Sequence, residues 1–455
     1  MSILEFVPMS FNIENSIRYD DQIAVKFTFG NRLFLTMDFE VNPWKYHANW
    51  LIGLCCDLCE LMVLRTTGWA LVILIPVIQM EVQGSKRWPK TSGSIDHYLS
   101  QDHRNRKLRG VNPPKRLSTI KTERGRKVIS FMTIADMDSH LLDNSGKYWR
   151  SPSARGTIKY NYDKASNNIH FEVKMFETIE YKGQMGYGNR GMELSELKVF
   201  YGRLYAVCDR TGILFWLHGR VQIPWTIYAD GNGIFEKPFK TEWMLIKDGK
   251  LYTGGYGKEW TDDDGEVAKN TGKNPQYVKI IDRNGRVKHV NWRRKYLALR
   301  RRVGISSDVQ SGYLVHESAQ WSRIHKKFFF LPRKVSHEPY DDKIDEKKGG
   351  HILLSANPSF TRIDKVNIYS DGKPPNKSRG FSSFQFIPET NDEVIVALKT
   401  VERDGRPLES YITIFNIHGK VYVRDTKIGG DHKFEGIEFI DWQHGYWNQK
   451  SQKKH

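Results

Sequence analysis

A strand–turn–strand pattern with a Ser or Glu at its start recurs along this chain. In TEWMLIKDGKLYTGG, residues 241–255, two apolar stretches flank Asp248-Gly249, a dipeptide typical of tight hairpins. Similar apolar residues follow each start, except that the last copy is only an opening strand. The starting residues are separated by 47, 75, 65 and 53 positions and are Ser195, Glu242, Glu317, Ser382 and Glu435. Repeats of this size, each with two or more strands, predict a β-propeller with loop insertions.

The repeat also predicts what the starting residues do. The innermost strands of a propeller line a central channel, so equivalent residues on these strands point towards one axial site. A buried carboxylate such as Glu242 needs a compensating partner. Carboxylate and hydroxyl oxygens suit Ca²⁺ better than Zn²⁺, while Mg²⁺ favours a tighter octahedral shell. We therefore expect one calcium ion to be shared by the inner strands.

Composition supports an all-β domain and argues against two other classes. The chain has 37 glycines and many Val, Ile, Tyr and Phe runs between turn signals. Its formal net charge is +18, but part of that excess lies in a linker-like segment, 103–127, and zinc-finger and RNP motifs are absent. Nucleic acid is therefore not the expected partner. Only four cysteines are present, and three of them crowd into residues 55–59, which fits neither a disulfide scaffold nor a complete zinc site.

The N-terminal third contains one apolar segment. Its core, residues 68–78, is shorter than the ~20 residues of a full membrane span, and Arg65 lies just before it. We interpret it as a secretory signal or a signal anchor, with a buried helix as the alternative. The predicted organisation is an unassigned extension, the apolar segment, a basic linker, the propeller and a polar tail, over residues 1–50, 51–82, 83–125, 126–441 and 442–455.

Several longer motifs carry a family resemblance. RGMELSELKVFYGRLYAVCDRTG, KTEWMLIKDGKLYTGG, HESAQWS, GFSSFQFIP and FEGIEFI resemble the calcium-activated nucleotidase family, which includes the salivary apyrases of blood feeders. The resemblance runs from about Arg126 to Ile440. It implies a five-bladed β-propeller with one axial Ca²⁺. It also implies hydrolysis of nucleoside diphosphates and triphosphates to monophosphates, with UDP and GDP as typical substrates.

The resemblance adds one member to the metal set. It implies that Glu196 joins the starting residues as a ligand, although the family often has Asp at this position. The longer side chain is expected to alter that contact, for example to a water-mediated one. The implied ligands are Ser195, Glu196, Glu242, Glu317, Ser382 and Glu435.

Two aspartates are candidates for positioning the attacking water. Asp136 in IADMDS and Asp209 in CDRTG each follow an apolar strand, where loops approach the axis. A carboxylate there can orient water or accept its proton. Asp209 is also followed by a natural turn sequence, so a structural role is the alternative. Arg210 and Arg333 are candidates for binding phosphate oxygens, which a guanidinium fork fits well.

The GKEW motif is a candidate for the nucleobase side of the site. Lys258, Glu259 and Trp260 are expected to form a wall there, with Trp260 stacking on the base. The alternative is that Trp260 belongs to the core.

Three functions compete at this point. The first is a calcium-dependent nucleotidase, and the second is a non-catalytic propeller in which calcium only braces the ring. The third is nucleic-acid binding through the basic surface. Asp136, Asp209 and Arg333 favour the enzyme, because a binding module does not need them. If the chain is this enzyme, the apolar segment predicts that it enters the secretory pathway. It would then lie in an ER or Golgi membrane with a lumenal catalytic domain, or be secreted. A homodimer is left open.

Overall fold

The computed structural model describes residues 117–137, 142–262, 265–369 and 376–447 apart from 404–405, and the backbone of three N-terminal strands. The chain divides into two compact units, Met1–Pro89 and Lys90–His455. The first unit contains an antiparallel sheet of β1 (Ser16–Ile17), β2 (Gln22–Phe29) and β3 (Arg32–Glu40).

Three N- and C-terminal predictions are not addressed by this structure. The predicted apolar segment, 51–82, lies outside the described residues, as do most of the basic linker and the last part of the polar tail. In the described part of the chain, no helix combines the length and apolarity needed to cross a membrane.

Most of the regular elements described in the second unit are strands, introduced here in chain order. The first six are β4 (Lys121–Glu123), β5 (Arg126–Ala135), β6 (Trp149–Asp163), β7 (Asn168–Gly183), β8 (Gly186–Tyr187) and β9 (Arg190–Gly191). Blade one contains β10 (Leu194–Phe200), β11 (Arg203–Cys208), β12 (Ile213–His218) and β13 (Val221–Ile227). Blade two contains β14 (Trp243–Lys247), β15 (Lys250–Gly254), β16 (Tyr277–Ile281) and β17 (Val287–Asn291).

The remaining strands complete the set. Blade three contains β18 (Tyr313–Ser322), β19 (Lys327–Ser336), β20 (Ile352–Ala356) and β21 (Ile363–Asn367). Blade four contains β22 (Gly380–Phe386), β23 (Val394–Arg403), β24 (Arg406–Asn416) and β25 (Val421–Ile428). Blade five combines the two ends of the domain in the order β26-β5-β6-β7, with β26 at Phe434–Phe439 and β4 as an extra partner of β5.

Hydrophobic packing closes these five sheets into a ring. Each sheet is apolar on both faces, so each face must be covered by a neighbour. Five buried clusters lie between successive blades, and the cluster joining blades four and five includes Val396 and Phe434. The inner strands β10, β14, β18, β22 and β26 contact one another in the same cyclic order. The predicted all-β, five-bladed propeller is therefore confirmed.

Local sequence signals explain the tight connections. Asp248 and Gly249, the predicted hairpin turn, both have positive φ, 50° and 68°, as the turn requires. The two α-helices among the described residues are α1 (Arg293–Arg302) and α2 (Asp342–Asp345). Short 3₁₀ turns occur at Asn274–Gln276, Val309–Ser311 and Gly445–Trp447. Helix α1 buries Tyr296 and Leu299, three positions apart and therefore on one face.

Candidate active site

Irregular strand pairing determines how the side chains of the repeat's starting residues are oriented. The antiparallel register skips Ser195 in β10, Ser382 in β22 and Glu435 in β26, and in β18 it is interrupted at Glu317. Such bulges turn a side chain away from the regular alternation of the strand. Glu242 lies one residue before β14, where its N–H donates to the Gly254 carbonyl at 2.8 Å. All five side chains are buried, and each lies on an inner strand or directly before it.

Lys240 joins the carboxylates of two blades. Its Nζ contacts Asp209 Oδ2 and lies 3.0 Å from Glu242 Oε1. It also lies 5.0 Å from the ring centroid of Tyr256. Burial alone would lower the pKa of Lys240, but Asp209 and Glu242 raise it well above its usual value. This ammonium is therefore a permanent positive charge between the two carboxylates.

A second lysine and Arg333 extend the network. Lys433 Nζ lies 3.3 Å from Asp136 Oδ2 and 3.1 Å from Glu435 Oε1. Arg333 Nη1 donates to Glu317 Oε2 at 2.5 Å and to Glu435 Oε1 at 3.0 Å. Residues from blades three and five are thus joined by one guanidinium.

A three-carboxylate cluster lies beside these pairs. Asp136, Glu193 and Asp209 are all buried, and each has an oxygen within 4.8 Å of the others. Arg190 Nε donates to Glu193 Oε1 at 2.7 Å. Burial raises the pKa of Glu193 to about 8, and the Asp136 and Asp209 charges add to the rise although Arg190 opposes it.

The described network carries more negative than positive charge. Its six carboxylates belong to Asp136, Glu193, Asp209, Glu242, Glu317 and Glu435. Its four cations belong to Arg190, Lys240, Arg333 and Lys433. Full ionisation leaves a charge of −2, the difference between these six and four groups. Burial, together with this excess, raises the pKa of Glu242 to about 8 and that of Glu435 well above its usual range.

Unsatisfied oxygens show that the site suits a divalent cation. Ser195 Oγ and Asp209 Oδ1 are buried without a hydrogen-bond partner among the residues that the structure describes. Ser382 Oγ donates to the Phe434 carbonyl at 2.8 Å, which directs its proton away and leaves its lone pairs as acceptors. Carboxylate and hydroxyl oxygens with an excess of two negative charges match the ligand preference of Ca²⁺. The residues present therefore fit the metal that the sequence predicts.

Glu196 has protein partners of its own. Its carboxylate accepts from Ser383 Oγ, at 2.9 and 3.1 Å, and from the Leu197 N–H at 2.9 Å. Burial raises its pKa to about 8. A Cβ at Gly436 would lie 2.8 Å from the Glu196 main chain, so glycine is needed for this approach. The role of Glu196 as a metal ligand stays a prediction.

The predicted phosphate and base contacts are dispersed around this network. Arg210 is half-buried, and its Nε donates to the carbonyl of Tyr187 in the β8–β9 hairpin at 3.2 Å. Trp260 is half-buried, with its ring 5.8 Å from that of Tyr256 at 74°. Since Tyr256 also lies beside Lys240, an aromatic path connects Trp260 to the carboxylates. The role of Trp260 in a wall beside the nucleobase stays a prediction.

The other two GKEW residues have mainly structural contacts. Lys258 Nζ lies 3.9 Å from the Tyr340 ring centroid and donates to the Glu259 carbonyl at 3.1 Å. Glu259 accepts from Arg293 at 2.8 Å and from Arg300 at 2.9 Å, and its side chain is buried. Glu259 therefore fastens helix α1 to blade two and does not offer its carboxylate to a base.

Four participants were missed by the sequence predictions: Arg190, which pairs with Glu193, and three residues at one repeated position. Glu193, Lys240 and Lys433 each lie two positions before a starting residue, in ELS, KTE and KFE. This spacing recurs in three of the five repeats, and it was the signal from which these three residues could have been found. What the spacing does not show is that Lys240 and Lys433 would pair with Asp209 and Asp136.

Comparisons with known proteins agree with the geometry. The Apyrase family matches residues 135–440. Apyrase apy-1 of Caenorhabditis elegans is 40% identical over 72% of this chain and 89% of its own. Soluble calcium-activated nucleotidase 1 of Rattus norvegicus is 43% identical over 68% of this chain and 72% of its own. Apyrase of Cimex lectularius is 39% identical over 68% of this chain and 81% of its own. The chain therefore belongs to the apyrase family of enzymes.

Proposed function

We propose that this protein is a calcium-dependent nucleotidase that hydrolyses nucleoside diphosphates and triphosphates to monophosphates and phosphate, with UDP and GDP as preferred substrates. The observation that carries the proposal is the buried network whose six carboxylates exceed its four cations. Relatives named as apyrases and as a calcium-activated nucleotidase support the reaction class and the metal.

The starting residues would hold the metal, together with Glu196. Bound calcium supplies a double positive charge that polarises the terminal phosphoryl group and an attacking water. The protein's own part is to keep the oxygens in place and to exclude competing ligands. Glu242, Glu317 and Glu435 are each at least nine-tenths buried, so they are held by the surrounding blades. The rigid inner strands provide this preorganisation.

Asp209 is our first candidate for orienting the water. Its Oδ2 is paired with Lys240, whereas Oδ1 has no hydrogen-bond partner within the described part of the chain. A water hydrogen-bonded to Oδ1 would be aligned by a side chain that Lys240 holds still. Asp136 occupies the matching position beside Lys433 and is the second candidate. Transfer of a phosphoryl group to water depends mainly on such positioning and on charge neutralisation.

Cationic and aromatic groups would bind the rest of the nucleotide. Arg333 is proposed to stabilise phosphate oxygens from its position between Glu317 and Glu435. Arg210 and Lys258 are proposed as further substrate contacts. Trp260 would stack on the base, and the edge contact with Tyr256 holds its ring in place.

Phosphate release decides between the enzyme and a calcium-braced binding module. The full chain is incubated with UDP, GDP, ADP or ATP in Ca²⁺, in Mg²⁺ and in a chelator. We expect release in Ca²⁺ that is lost in Glu242→Gln and kept in Glu172→Gln, a control on the exposed face of β7. No release from any nucleotide would favour the non-catalytic propeller.

We also propose that the protein enters the secretory pathway and acts in the ER or Golgi lumen, or outside the cell. The support is the apolar segment and the Asn376-Lys377-Ser378 sequon, which suits a lumenal protein. Protease protection of membrane fractions and glycosidase digestion test this. Retention by an anchor and formation of a homodimer are proposals to be tested by carbonate extraction and light scattering.

A further inference from the structure

Lys240 and Lys433 occupy equivalent positions in two blades. Each lies two residues before a starting glutamate, and each Nζ contacts that glutamate and one loop aspartate. The pairs are Glu242 with Asp209 and Glu435 with Asp136. The same arrangement in two different blades makes an incidental surface ion pair a poor explanation.

The two ammonium groups contact the oxygens that a divalent cation needs. Glu242 and Glu435 are the proposed ligands, and both are 2–3% exposed. A calcium ion on these carboxylates would repel an ammonium a few ångströms away, because both groups are positively charged. An ammonium and Ca²⁺ therefore do not share these oxygens at their present distances.

Exposure gives the direction in which a displaced lysine can move. The side chain of Lys240 is 30% exposed and that of Lys433 is 9% exposed, whereas Asp209 and Glu242 are 3% and 2% exposed. Solvent therefore reaches this part of the site at the Lys240 side chain. A nucleotide must enter from solvent, so its phosphates would meet Lys240 before the carboxylates.

We propose that Lys240 and Lys433 are exchangeable counter-ions: they neutralise the axial carboxylates in the metal-free protein, and a divalent cation displaces them into positions where they bind the substrate's phosphate oxygens. The second half of this inference rests on the proposed nucleotidase function, and the first half does not. Lysine suits this role because its ammonium sits on a flexible stem and acts as a point charge for phosphate.

Removal of a lysine should change calcium affinity and nucleotide affinity in opposite directions, which a purely structural role of the lysine would not produce. If the lysines compete with the cation, removing one should strengthen calcium binding, because the metal no longer has to displace it. The same removal should weaken nucleotide binding. Typical coupling between two sites corresponds to about 5–150-fold in affinity. Damage to the fold would instead weaken both.

Two lysine-to-methionine variants test whether the two affinities change in opposite directions. Calcium affinity is measured by titration calorimetry without nucleotide, and KM is measured with UDP. In Lys240→Met and Lys433→Met we expect the calcium Kd to fall about tenfold and KM to rise about tenfold, within the usual coupling range. Lys399→Met is the matched control, since Lys399 is also buried on a strand and pairs at 2.9 Å with Asp425, which belongs to neither the network nor the proposed ligands. It should change neither value.

Acylation of the unmodified protein tests the displacement itself. Acetic anhydride labels accessible amines, and mass spectrometry locates the label. We expect calcium to increase labelling of Lys240 and Lys433 several-fold, and a non-hydrolysable UDP analogue to reverse the increase, with labelling of Lys399 unchanged. This measurement decides the question if a variant does not fold.

The outcomes separate the inference from the proposed function. Unchanged labelling of both lysines on adding calcium, or an unchanged or weaker calcium affinity in both variants, would overturn the exchange. Absence of phosphate release from every nucleotide would overturn the nucleotidase function, yet it would leave the calcium-dependent labelling as a separate result. Labelling that rises with calcium but is not reversed by the analogue would remove the phosphate-binding half.

Discussion

Glu317 and Glu435, on the inner strands of blades three and five, contact the same atom, Nη1 of Arg333. Arg333 comes from β19, the second strand of blade three, and is itself 3% exposed. The shared donor offsets the repulsion between these two buried carboxylates. Arg333 therefore both fixes the geometry of the site and lowers the cost of its negative charge.

Loss of the Arg333 guanidinium should destabilise the metal-free protein more than the calcium-bound protein. In Arg333→Met the carboxylates of Glu317 and Glu435 lose a shared partner, and breaking a buried ion pair costs about 3–5 kcal/mol. Urea unfolding with and without Ca²⁺ measures the effect. We expect calcium to recover part of the loss because it supplies positive charge to the same carboxylates. Equal destabilisation with and without calcium would count against a metal at this position.

Asp209→Asn should separate catalysis from metal binding. The amide keeps the size of the side chain but cannot accept a proton, so we expect kcat to fall by about 10²–10⁴-fold. Calcium affinity should change much less than in Glu242→Gln. Asp248→Asn is the control, because Asp248 lies in an exposed hairpin turn whose positive φ suits asparagine. Wild-type kcat in Asp209→Asn would exclude this carboxylate from positioning the water.

Calcium affinity should rise with pH. Burial raises the pKa of Glu242 from about 4.5 to about 8, with Asp209 and Glu317 adding to the rise and Lys240 opposing it. The folded state thus favours the protonated acid, and this stabilisation is fully present below about pH 4.5 and is lost as the pH passes about 8. Metal-free stability should therefore fall over that window.

Calcium affinity should change over the same pH range, since calcium requires the ionised Glu242 carboxylate. For each proton released, affinity should increase up to about tenfold per pH unit. Calorimetric titrations at about pH 5.5, 7 and 8.5 measure the slope. Glu242→Gln should reduce it. The same calcium Kd at all three pH values would show that the acid is already ionised at the lowest of them.

Within the GKEW motif, Glu259 should contribute to stability and Trp260 to substrate binding. Glu259→Gln removes a charge that Arg293 and Arg300 share, and we expect a loss of about 3 kcal/mol in the free energy of unfolding. Trp260→Leu should leave unfolding nearly unchanged and raise KM about 10-fold, since base stacking on an aromatic ring contributes about 1–3 kcal/mol. A normal KM in Trp260→Leu would return this side chain to a packing role.

The sequence by itself determined the ring and the residues at its centre. Apolar alternation, turn dipeptides and the spacing of Ser195, Glu242, Glu317, Ser382 and Glu435 are local properties, and each blade repeats them. The hairpin at Asp248-Gly249 follows from the positive φ that this dipeptide tolerates. These features need no knowledge of the other blades.

Only the tertiary structure decided how the charges are shared. Lys240 meets Asp209 across blades, and Lys433 meets Asp136 because β26 pairs with β5 and brings the two ends of the domain together. Partners this distant in sequence leave no periodic signal. Their choice depends on burial, which makes an unpaired charge costly and so selects whichever opposite charge the closed ring places within reach.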